Sequence, residues 1–242
     1  MNDLEKYFSN NKGNLICKWK HYFDIYETYF QKFRNRAVTV LEIGVFHGGS
    51  LHMWKDYFGP HARIYGVDIN PNCKALEDDQ IKVFIGSQED RKFLRNLVKT
   101  LPKIDILVDD GGHTMRQQIT TFEELYAHVN ENGIYLCEDL HTSYWKWYGG
   151  KFAGRKTFIE YSKHLIDYLN AWHSETRRLQ VNDFTKTAYA LHYYDSVLVI
   201  EKKKMGRPCE VRSGFPVINQ VPVNPVPFPK RIYRALRAKM GI

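Results

Sequence analysis

The sequence has 242 residues, of which 43% are hydrophobic, and its formal net charge is +8. This length suits one large domain, and this hydrophobic content excludes wholesale disorder. No apolar run is long enough to span a membrane, and the polar start MNDLEKYFSNNKGN is unlike a signal peptide. The 4 cysteines are scattered and lack the spacing of a zinc site, so we expect a reduced, cytoplasmic protein.

The positive charge is concentrated near the C-terminus. From Lys202 onward, ten Lys or Arg residues face one acid, Glu210, which leaves the first 201 residues with a net charge of −1. A fold that binds nucleic acid is expected to gather basic residues on one folded face. The sequence therefore predicts no nucleic-acid partner.

Residues 1–38 predict a helical lead-in. Aromatic side chains recur at three- and four-residue steps from Trp19 to Phe33, a spacing that is typical of one helix face. We interpret this face as packing on the domain that follows. The alternative is that some of these aromatics line a substrate pocket or a dimer contact.

Residues 39–204 predict an α/β domain. Helical stretches separate most of its short apolar runs, which are TVLEIGV, RIYGVDI, IKVFIGS, IDILVDD and GIYLCED. This alternation predicts a mostly parallel sheet with helices on both faces. A further helix is predicted over 154–173, and TAYALHYYDSVLVIEKK then predicts a terminal antiparallel hairpin that turns near Asp195.

Residues 205–242 predict a proline-rich basic arm. Six of the 9 prolines lie beyond Arg207, and the final KRIYRALRAKMGI predicts a short basic amphipathic helix. One interpretation is that the arm packs on the same subunit or on a neighbouring one in a homo-oligomer. The other is that it contacts the anionic inner face of a membrane.

A glycine-rich turn, LEIGVFHGGS, follows the first predicted strand. Phe46 stands where a dinucleotide-binding turn requires glycine, which disfavours an oxidoreductase. The spacing from Glu42 through Gly44 to Gly48 instead resembles the first motif of class I S-adenosylmethionine-dependent methyltransferases, whose sheet is Rossmann-like and seven-stranded. That resemblance implies that the two glycines let the backbone approach the amino-acid end of the cofactor and that Glu42 helps to hold its amino group.

Three further residues at strand ends belong to the predicted cofactor site. Asp68 ends the second strand, where a carboxylate can accept both ribose hydroxyls. Gln88 follows the third strand and is placed to bond the adenine edge, whereas nearby Asp90 is explained equally well as a helix cap. Asp109, at the end of the fourth strand, is grouped with these cofactor-binding residues.

Acidic residues follow two neighbouring strands. Asp110 comes after the fourth strand, and Glu138 and Asp139 come after the fifth. Because the carboxyl ends of parallel strands converge, we expect the three carboxylates to lie within a few ångströms of each other. Their repulsion is relieved by a shared proton or by a divalent cation, and oxygen ligands suit Mg²⁺. Purely structural caps or ion pairs are the alternative.

The motifs together resemble one family. VLEIGVFHGGSLHMW, YGVDIN, GSQED, ILVDDGGH and GIYLCEDLHTSYW, which fall within Thr39–Trp145, are similar to metal-dependent sugar O-methyltransferases of macrolide biosynthesis, a group related to cephalosporin-hydroxylase-like proteins. The resemblance implies that Asp110, Glu138 and Asp139 bind Mg²⁺ and that His113 is the general base. Gly112 replaces a serine that is usual in the family, which removes one hydroxyl contact.

The sequence therefore predicts Mg²⁺-dependent transfer of a methyl group from S-adenosylmethionine to a hydroxyl of a sugar or glycan. His141 is either a second base and orienting residue or a structural, substrate-binding one. Tyr144 and Trp145 either stack on the sugar or close the core. The alternatives are a related metal-dependent enzyme that acts on a non-sugar small molecule, and a non-catalytic cofactor-binding subunit of glycan machinery.

Overall fold

The predicted strands form a seven-stranded sheet in the computed structural model, which describes residues 1–219. The strands are β1 Thr39–Ile43, β2 Arg63–Asp68, β3 Ile81–Ile85, β4 Ile104–Asp109, β5 Val129–Cys137, β6 Ala188–Tyr194 and β7 Val197–Lys202. Their order across the sheet is β3-β2-β1-β4-β5-β7-β6. Strands β1 to β5 are parallel to one another, and β7 lies antiparallel between β5 and β6. The predicted sheet and its terminal hairpin are confirmed.

Helices cover both faces of the sheet, as predicted. They are α1 Asp3–Asn10, α2 Tyr22–Phe30, α3 Gly49–Phe58, α4 Arg91–Thr100, α5 Met115–Leu125, α6 Phe158–Leu169 and α7 Asp183–Thr187. Side chains of α1, α2 and α3 form one apolar layer, and side chains of α4 to α7 form the layer on the opposite face. Buried residues of β1 and of the second half of β5 alternate between the two layers, because successive side chains of a strand point to opposite faces.

The strand order reverses between β1 and β4. From β1 the chain builds outward through β2 and β3, and it then returns to add β4 and β5 on the other side. Ligands bind in open α/β sheets at such a switch point, beyond the carboxyl ends of the strands. The turn that begins at Gly44 follows β1, and Asp110 follows β4, so both lie at this point.

The N-terminal segment differs from the single helical stretch that the aromatic spacing predicts. Two helices are present, and residues 11–21 between them contain no regular helix or strand apart from turns. The aromatics of α2 pack into the core with α3, as in our first interpretation, through the stacked pair Tyr26–Phe30 and the edge contact of Tyr26 with Trp54. Residues 11–21 thus join two helices whose buried side chains belong to the same apolar layer.

Most of the predicted arm lies outside the described residues. Residues Met1–Arg207 form one compact unit. Residues 206–219 are exposed and contain no helix or strand. Within residues 1–219, no helix has both the length and the apolar character needed to cross a bilayer. The predicted contacts of the arm with a subunit or a membrane stay predictions.

Candidate active site

A cavity of about 770 Å³ opens at the switch point of the sheet. Its wall includes residues 15–18 of the N-terminal segment, the turn after β1, the ends of β2 and β3, residues 110–113 after β4, and Asp139 after β5. Apolar side chains and a few polar groups share this lining, which is typical of a small-molecule site. The sequence-predicted cofactor residues therefore surround one continuous space or lie directly behind its wall.

The turn after β1 requires glycine at two positions. Gly44 has a φ of +94°, and a Cβ atom there would lie 2.1 Å from the main-chain oxygen of Asp110. Gly48 has a φ of +75° and precedes the first turn of α3. Because glycine adopts positive φ without steric cost, this turn can touch the loop after β4. Contact of either glycine with the cofactor stays a prediction.

Glu42 points to the face of the sheet that α2 and α3 cover. Its side chain is fully buried, and the hydroxyl of Ser50 donates a hydrogen bond to Oε2 at 2.7 Å. Burial raises the pKa of Glu42 to about 7. Ser50 lines the cavity, and Glu42 lies behind it. Contact of Glu42 with the cofactor amino group stays a prediction.

Asp68 lines the cavity at the end of β2 and also fixes the glycine turn. Its Oδ2 accepts hydrogen bonds from the backbone N–H groups of Val45 and Phe46 at 2.9 and 3.0 Å, and its Oδ1 accepts one from Asn70 at 2.8 Å. A carboxylate has about four lone-pair sites. Three of them are occupied here, so one site, on Oδ1, is left for a ribose hydroxyl, and accepting both hydroxyls would require a backbone N–H of the turn to leave Oδ2. The position is compatible with the predicted ribose contact.

Gln88 and Asp109 brace the loop after β4. The amide nitrogen of Gln88 donates to Asp109 Oδ1 and to Thr121 Oγ1, both at 3.0 Å, and its oxygen accepts from the N–H of Gly112 at 2.8 Å. Asp109 is buried, and burial raises its pKa to about 7. The side chain of Gln88 is thus engaged with protein groups, and the predicted bond to adenine would require it to leave them.

Asp110, His113 and Asp139 meet at the inner end of the cavity. One candidate ligand atom from each lies within 4.8 Å of the others. His113 Nε2 is 3.4 Å from Asp139 Oδ2 and 3.8 Å from Asp110 Oδ1. His113 and Asp139 have positive φ angles of 55° and 56°, a region that costs energy for non-glycine residues and occurs often at functional sites.

Neighbouring hydroxyls hold this geometry. Thr142 Oγ1 donates to the main-chain oxygen of His113 at 2.9 Å, and the hydroxyl of Tyr22 donates to Asp139 Oδ1 at 2.7 Å. His113 Nδ1 is buried and has no hydrogen-bond partner among the residues that the structure describes. The position of the imidazole is therefore set by the contacts of Nε2 with Asp139 and Asp110 and by the hydrogen bond to the main-chain oxygen of His113.

Glu138 is turned away from Asp139, toward a residue that the sequence did not reveal. The ammonium of Lys18 lies 3.0 Å from both carboxylate oxygens of Glu138 and 2.5 Å from Asp110 Oδ2. The hydroxyl of Tyr26 also donates to Glu138, at 2.6 Å. The predicted triad is thus brought together in part. Asp110 and Asp139 face the cavity, whereas Glu138 contacts Lys18 and Tyr26 behind them.

The site carries more negative than positive charge. Lys18 Nζ is within 4.0 Å of Glu42, Asp110 and Glu138, and Asp139 adds a fourth carboxylate nearby. Burial and the charge of Asp110 raise the pKa of Glu138 well above its ordinary value. Oxygen donors and surplus negative charge fit Mg²⁺, which binds one or two carboxylates and keeps several waters. Asp110 and Asp139 line the cavity where it would bind, and the predicted role of Glu138 as a third ligand stays a prediction.

Exposed aromatic side chains pack on His141, whose Nδ1 lies 3.9 Å from Asp139 Oδ1, although His141 and these aromatics do not line the cavity. His141 stacks edge-on against Trp19, with 5.7 Å between ring centroids, and against Trp145, with 4.5 Å. The Nδ1 atom of His141 contacts Ser196 Oγ, and the backbone N–H of His141 donates to that oxygen at 3.1 Å. Tyr144 and Trp145 are about half exposed, so they do not close the core.

The sheet order and the site at its switch point define a Rossmann-like methyltransferase fold. Residues 41–140 match a family model described as a methyltransferase domain. The chain is 36% identical over 195 residues to the 8-demethyl-8-alpha-L-rhamnosyl tetracenomycin-C 2'-O-methyltransferase of Streptomyces olivaceus, covering 75% of this chain and 50% of that protein. It is 32% identical over 208 residues to the mycinamicin VI 2''-O-methyltransferase of Micromonospora griseorubida, covering 81% and 51%.

A solved structure agrees with these relatives. The MycE methyltransferase of the mycinamycin pathway, in complex with Mg, SAH and mycinamycin VI, has a TM-score of 0.73 and 31% identity, with 84% of this chain and 53% of that chain covered. The chain spans about half the length of the curated relatives it matches. It has a class I methyltransferase fold and resembles the sugar O-methyltransferases of glycosylated natural products, as its motifs predict.

Proposed function

We propose that this chain transfers a methyl group from S-adenosylmethionine to a hydroxyl of a sugar in a glycan or a glycosylated metabolite, with Mg²⁺ as cofactor. One observation carries the proposal. A cavity bounded by the glycine turn and by Asp68 ends at Asp110, His113 and Asp139. A methyl-donor pocket that ends at a carboxylate–histidine cluster has both groups that methylation of an alcohol needs: a bound donor and a proton acceptor.

The cofactor is assigned to the outer part of this cavity. Asp68 would accept the ribose hydroxyls, and the backbone around Gly44 would approach the amino-acid end. Residues 15–18 form the opposite wall and exclude water from that side. The relatives are named as sugar O-methyltransferases, and MycE was solved with Mg and SAH, which supports both assignments.

Asp110 and Asp139 would hold the metal, and a bound Mg²⁺ lowers the pKa of a sugar hydroxyl and fixes its orientation. His113 accepts the hydroxyl proton at Nε2 as the oxygen bonds to the methyl carbon. The carbon–sulfur bond breaks in the same step, and its electron pair stays on sulfur. Asp139, 3.4 Å from Nε2, stabilises the imidazolium that forms.

The sugar acceptor is assigned to the aromatic side chains beside His141, which lies next to Asp139 but outside the lining of the cavity. Trp19, Tyr144 and Trp145 expose about half of their surface beside His141, and aromatic faces of this kind suit the apolar faces of a sugar ring. Ser196 holds His141 in place by hydrogen bonding. We therefore propose that His141 positions the acceptor sugar and is not a second base. Residues 39–204 are proposed as the catalytic domain.

Calorimetry with S-adenosylhomocysteine and a methyl-transfer assay test the proposal. We expect binding heat for S-adenosylhomocysteine and transfer of a labelled methyl group to at least one member of a panel of p-nitrophenyl glycosides that includes the α-L-rhamnoside. Chelator should abolish the transfer, and Mg²⁺ should restore it. Catechol is the matched control, because it offers two adjacent hydroxyls without a sugar ring.

The outcomes separate the alternatives. Transfer to catechol but to no glycoside would favour the non-sugar enzyme. Cofactor binding without transfer to any acceptor of the panel would favour the non-catalytic subunit. A protein that gives no heat with S-adenosylhomocysteine would exclude the methyltransferase proposal.

A further inference from the structure

Residues 145–157, which we call the 145–157 loop, present exposed aromatic side chains on the acceptor side of the site. Apart from a short 3₁₀ turn at Lys146–Tyr148, the loop contains no helix or strand. Trp147 is 96% exposed and Phe152 is 81% exposed. Large aromatic side chains exposed to this extent contribute little to the core, so they are free to contact a ligand.

The loop is strongly basic for its length. Between residues 140 and 159 the sequence has four Lys or Arg residues and no acid, although the first 201 residues together carry a net charge of −1. The next acid along the chain, Glu160, is paired with Lys163 at 2.6 Å. The four cations are exposed and form no salt bridge within residues 1–219; they are Lys146, Lys151, Arg155 and Lys156. A cluster of unpaired positive charge attracts anions.

Two consecutive turns arrange the cations together with free backbone donors. The N–H of Gly154 donates to the main-chain oxygen of Lys151 at 2.9 Å, and the N–H of Thr157 donates to that of Gly154 at 2.8 Å. Inside the turns, the N–H groups of residues 152, 153, 155 and 156 have no acceptor in the part of the chain that the structure describes. Turn N–H groups and Lys or Arg side chains are the donors with which proteins bind phosphate.

The loop is attached to the catalytic side of the fold. The N–H of Lys151 donates to the main-chain oxygen of Ser143 at 2.8 Å. The preceding residue, Thr142, donates to the main-chain oxygen of His113 at 2.9 Å. Trp145, which is proposed to contact the acceptor sugar, is the first residue of the loop. A group bound by the loop therefore lies beside the proposed position of the sugar.

We propose that the acceptor is a phosphorylated sugar, whose phosphate binds to the 145–157 loop while its ring contacts the aromatic side chains beside His141. This inference rests on the proposed function and names its substrate class. A neutral glycoside would leave the four cations without a counter-charge, whereas a phosphate ester supplies it. An anionic membrane would also supply charge, but it would not need the loop to begin at the sugar-contacting Trp145.

Binding of matched pairs of sugars tests the inference. The 1-phosphates of α-D-glucose, α-D-mannose and α-L-rhamnose, and the methyl glycoside of each, are titrated by calorimetry into the full chain with Mg²⁺ and S-adenosylhomocysteine. We expect at least one 1-phosphate to have a Kd at least about tenfold below that of its methyl glycoside, because hydrogen bonds between charged groups are strong. This preference should shrink as the salt concentration rises, because exposed charges are screened.

A loop variant separates binding by the loop from binding of phosphate to the metal. In Lys151→Gln/Arg155→Gln/Lys156→Gln, the Kd of the preferred 1-phosphate should rise toward that of its methyl glycoside. Binding of S-adenosylhomocysteine by the variant shows that it is folded. A preference that persists in this variant would overturn the inference, and so would equal or weaker binding of every 1-phosphate by the wild type.

The matched control removes the same charge elsewhere and should bind the 1-phosphates like the wild type. It replaces three exposed lysines that lie outside the loop and outside the cavity wall, as Lys32→Gln/Lys92→Gln/Lys99→Gln.

Sedimentation with vesicles of phosphatidylcholine and phosphatidylglycerol tests the membrane alternative. The wild type and the loop variant share the basic C-terminal segment, so a difference in pelleting between them reports on the loop. Loop-dependent pelleting without any preference for a 1-phosphate would assign the loop to a membrane surface and overturn the inference.

Failure of the inference is distinguishable from failure of the proposed function. A wild type that binds S-adenosylhomocysteine and methylates a neutral glycoside, but has no preference for a 1-phosphate, would remove only the substrate class. Absence of heat with S-adenosylhomocysteine would remove the methyltransferase proposal, whatever the sugar titrations give.

Discussion

At the scale of single residues, the chemistry depends on one imidazole in an unusual backbone conformation. His113 sits in the left-handed region with its Nε2 facing Asp139 and Asp110. Left-handed geometry is tolerated better by Asn than by other non-glycine residues. Asn is therefore the substitution that removes the base with the least disturbance of the loop.

We expect His113→Asn to lower kcat by roughly 10²- to 10⁴-fold, the usual contribution of a general base. Affinity for S-adenosylhomocysteine and Mn²⁺ should stay close to that of the wild type, because the carboxylates and the cofactor wall are unchanged. Steady-state transfer to an accepted glycoside, together with calorimetry, checks both statements. His164→Asn, on the exposed side of α6, is the control. More than about a tenth of wild-type turnover in His113→Asn would assign proton removal to another group.

Strand-end residues were predictable from the sequence, but Lys18 was not. Asp110 and Asp139 could be placed together because parallel strands end at one edge of a sheet. Lys18 is separated from Asp110 by 92 residues and from Glu138 by 120, and it lies in an irregular segment without periodic signal. From sequence alone, a single lysine beside aromatic residues is expected to be exposed to solvent, because lysine is rarely buried without a partner. Only its tertiary contacts show that Lys18 is buried. Because the contact between Lys18 and Glu138 could not be predicted, the orientation of the Glu138 side chain could not be predicted either.

At the scale of elements, the strands were predicted well because buried strands have β-branched, apolar sequences. The helix predicted over 154–173 is regular only over Phe158–Leu169. The five-residue helix α7, Asp183–Thr187, was not predicted, because so short a run shows no periodicity. The aromatic spacing of the lead-in predicted helix where residues 11–21 form a loop, since Trp19 shares the spacing of α2 without belonging to it.

The end of β7 contains a buried lysine that makes stability depend on pH. Lys202 Nζ donates to the main-chain oxygens of Tyr126 and Val129 at 2.9 and 2.7 Å. Burial, and secondly the charge of Lys103, lower the pKa of Lys202 to about 8 from an ordinary value of 10.5. Between these two pH values the unfolded chain binds more protons than the folded chain. The free energy of unfolding should therefore rise with pH across this window.

We expect Lys202→Met to abolish this rise while lowering stability near neutral pH, because two buried carbonyls lose their donor. Urea unfolding at pH 7.5 and pH 10, compared between the wild type and the variant, measures the effect. Lys204→Met is the control, since Lys204 is exposed. If the wild type and Lys202→Met show the same change in unfolding free energy between the two pH values, Lys202 is not the group responsible.

At the scale of the whole molecule, residues far apart in the chain close a single cavity. Its wall combines the N-terminal segment with residues that follow each of the strands β1 to β5. A ligand that binds only the folded state stabilises it by mass action. Cofactor binding should therefore raise the free energy of unfolding and slow the hydrogen exchange of residues 15–18.

We expect S-adenosylhomocysteine at about 100 times its Kd to raise the free energy of unfolding by ~2.7 kcal/mol. Hydrogen exchange of the amides of residues 15–18 should slow on binding, whereas amides of α6, which lies outside the cavity wall, should change only with global stability. Mass spectrometry of exchange measures both segments in one experiment. Equal protection of the two segments would argue against residues 15–18 as a wall of the cofactor site.

Strand β7 lies between β5 and β6 in the sheet, so β5 is synthesised well before the strand that pairs with it. The turn at Ser196 accepts the backbone N–H of Leu140 and of His141, so it supports the loop that follows Asp139. Ser196 emerges from the ribosome more than fifty residues after Asp139. Until then, β5 has an unpaired edge, and such an edge invites pairing with other chains. In a nascent chain, the acidic residues at the strand ends are therefore synthesised long before Ser196 can hydrogen-bond to the loop that follows them. We expect ribosome-bound chains arrested before Val197 to aggregate more readily than the completed chain.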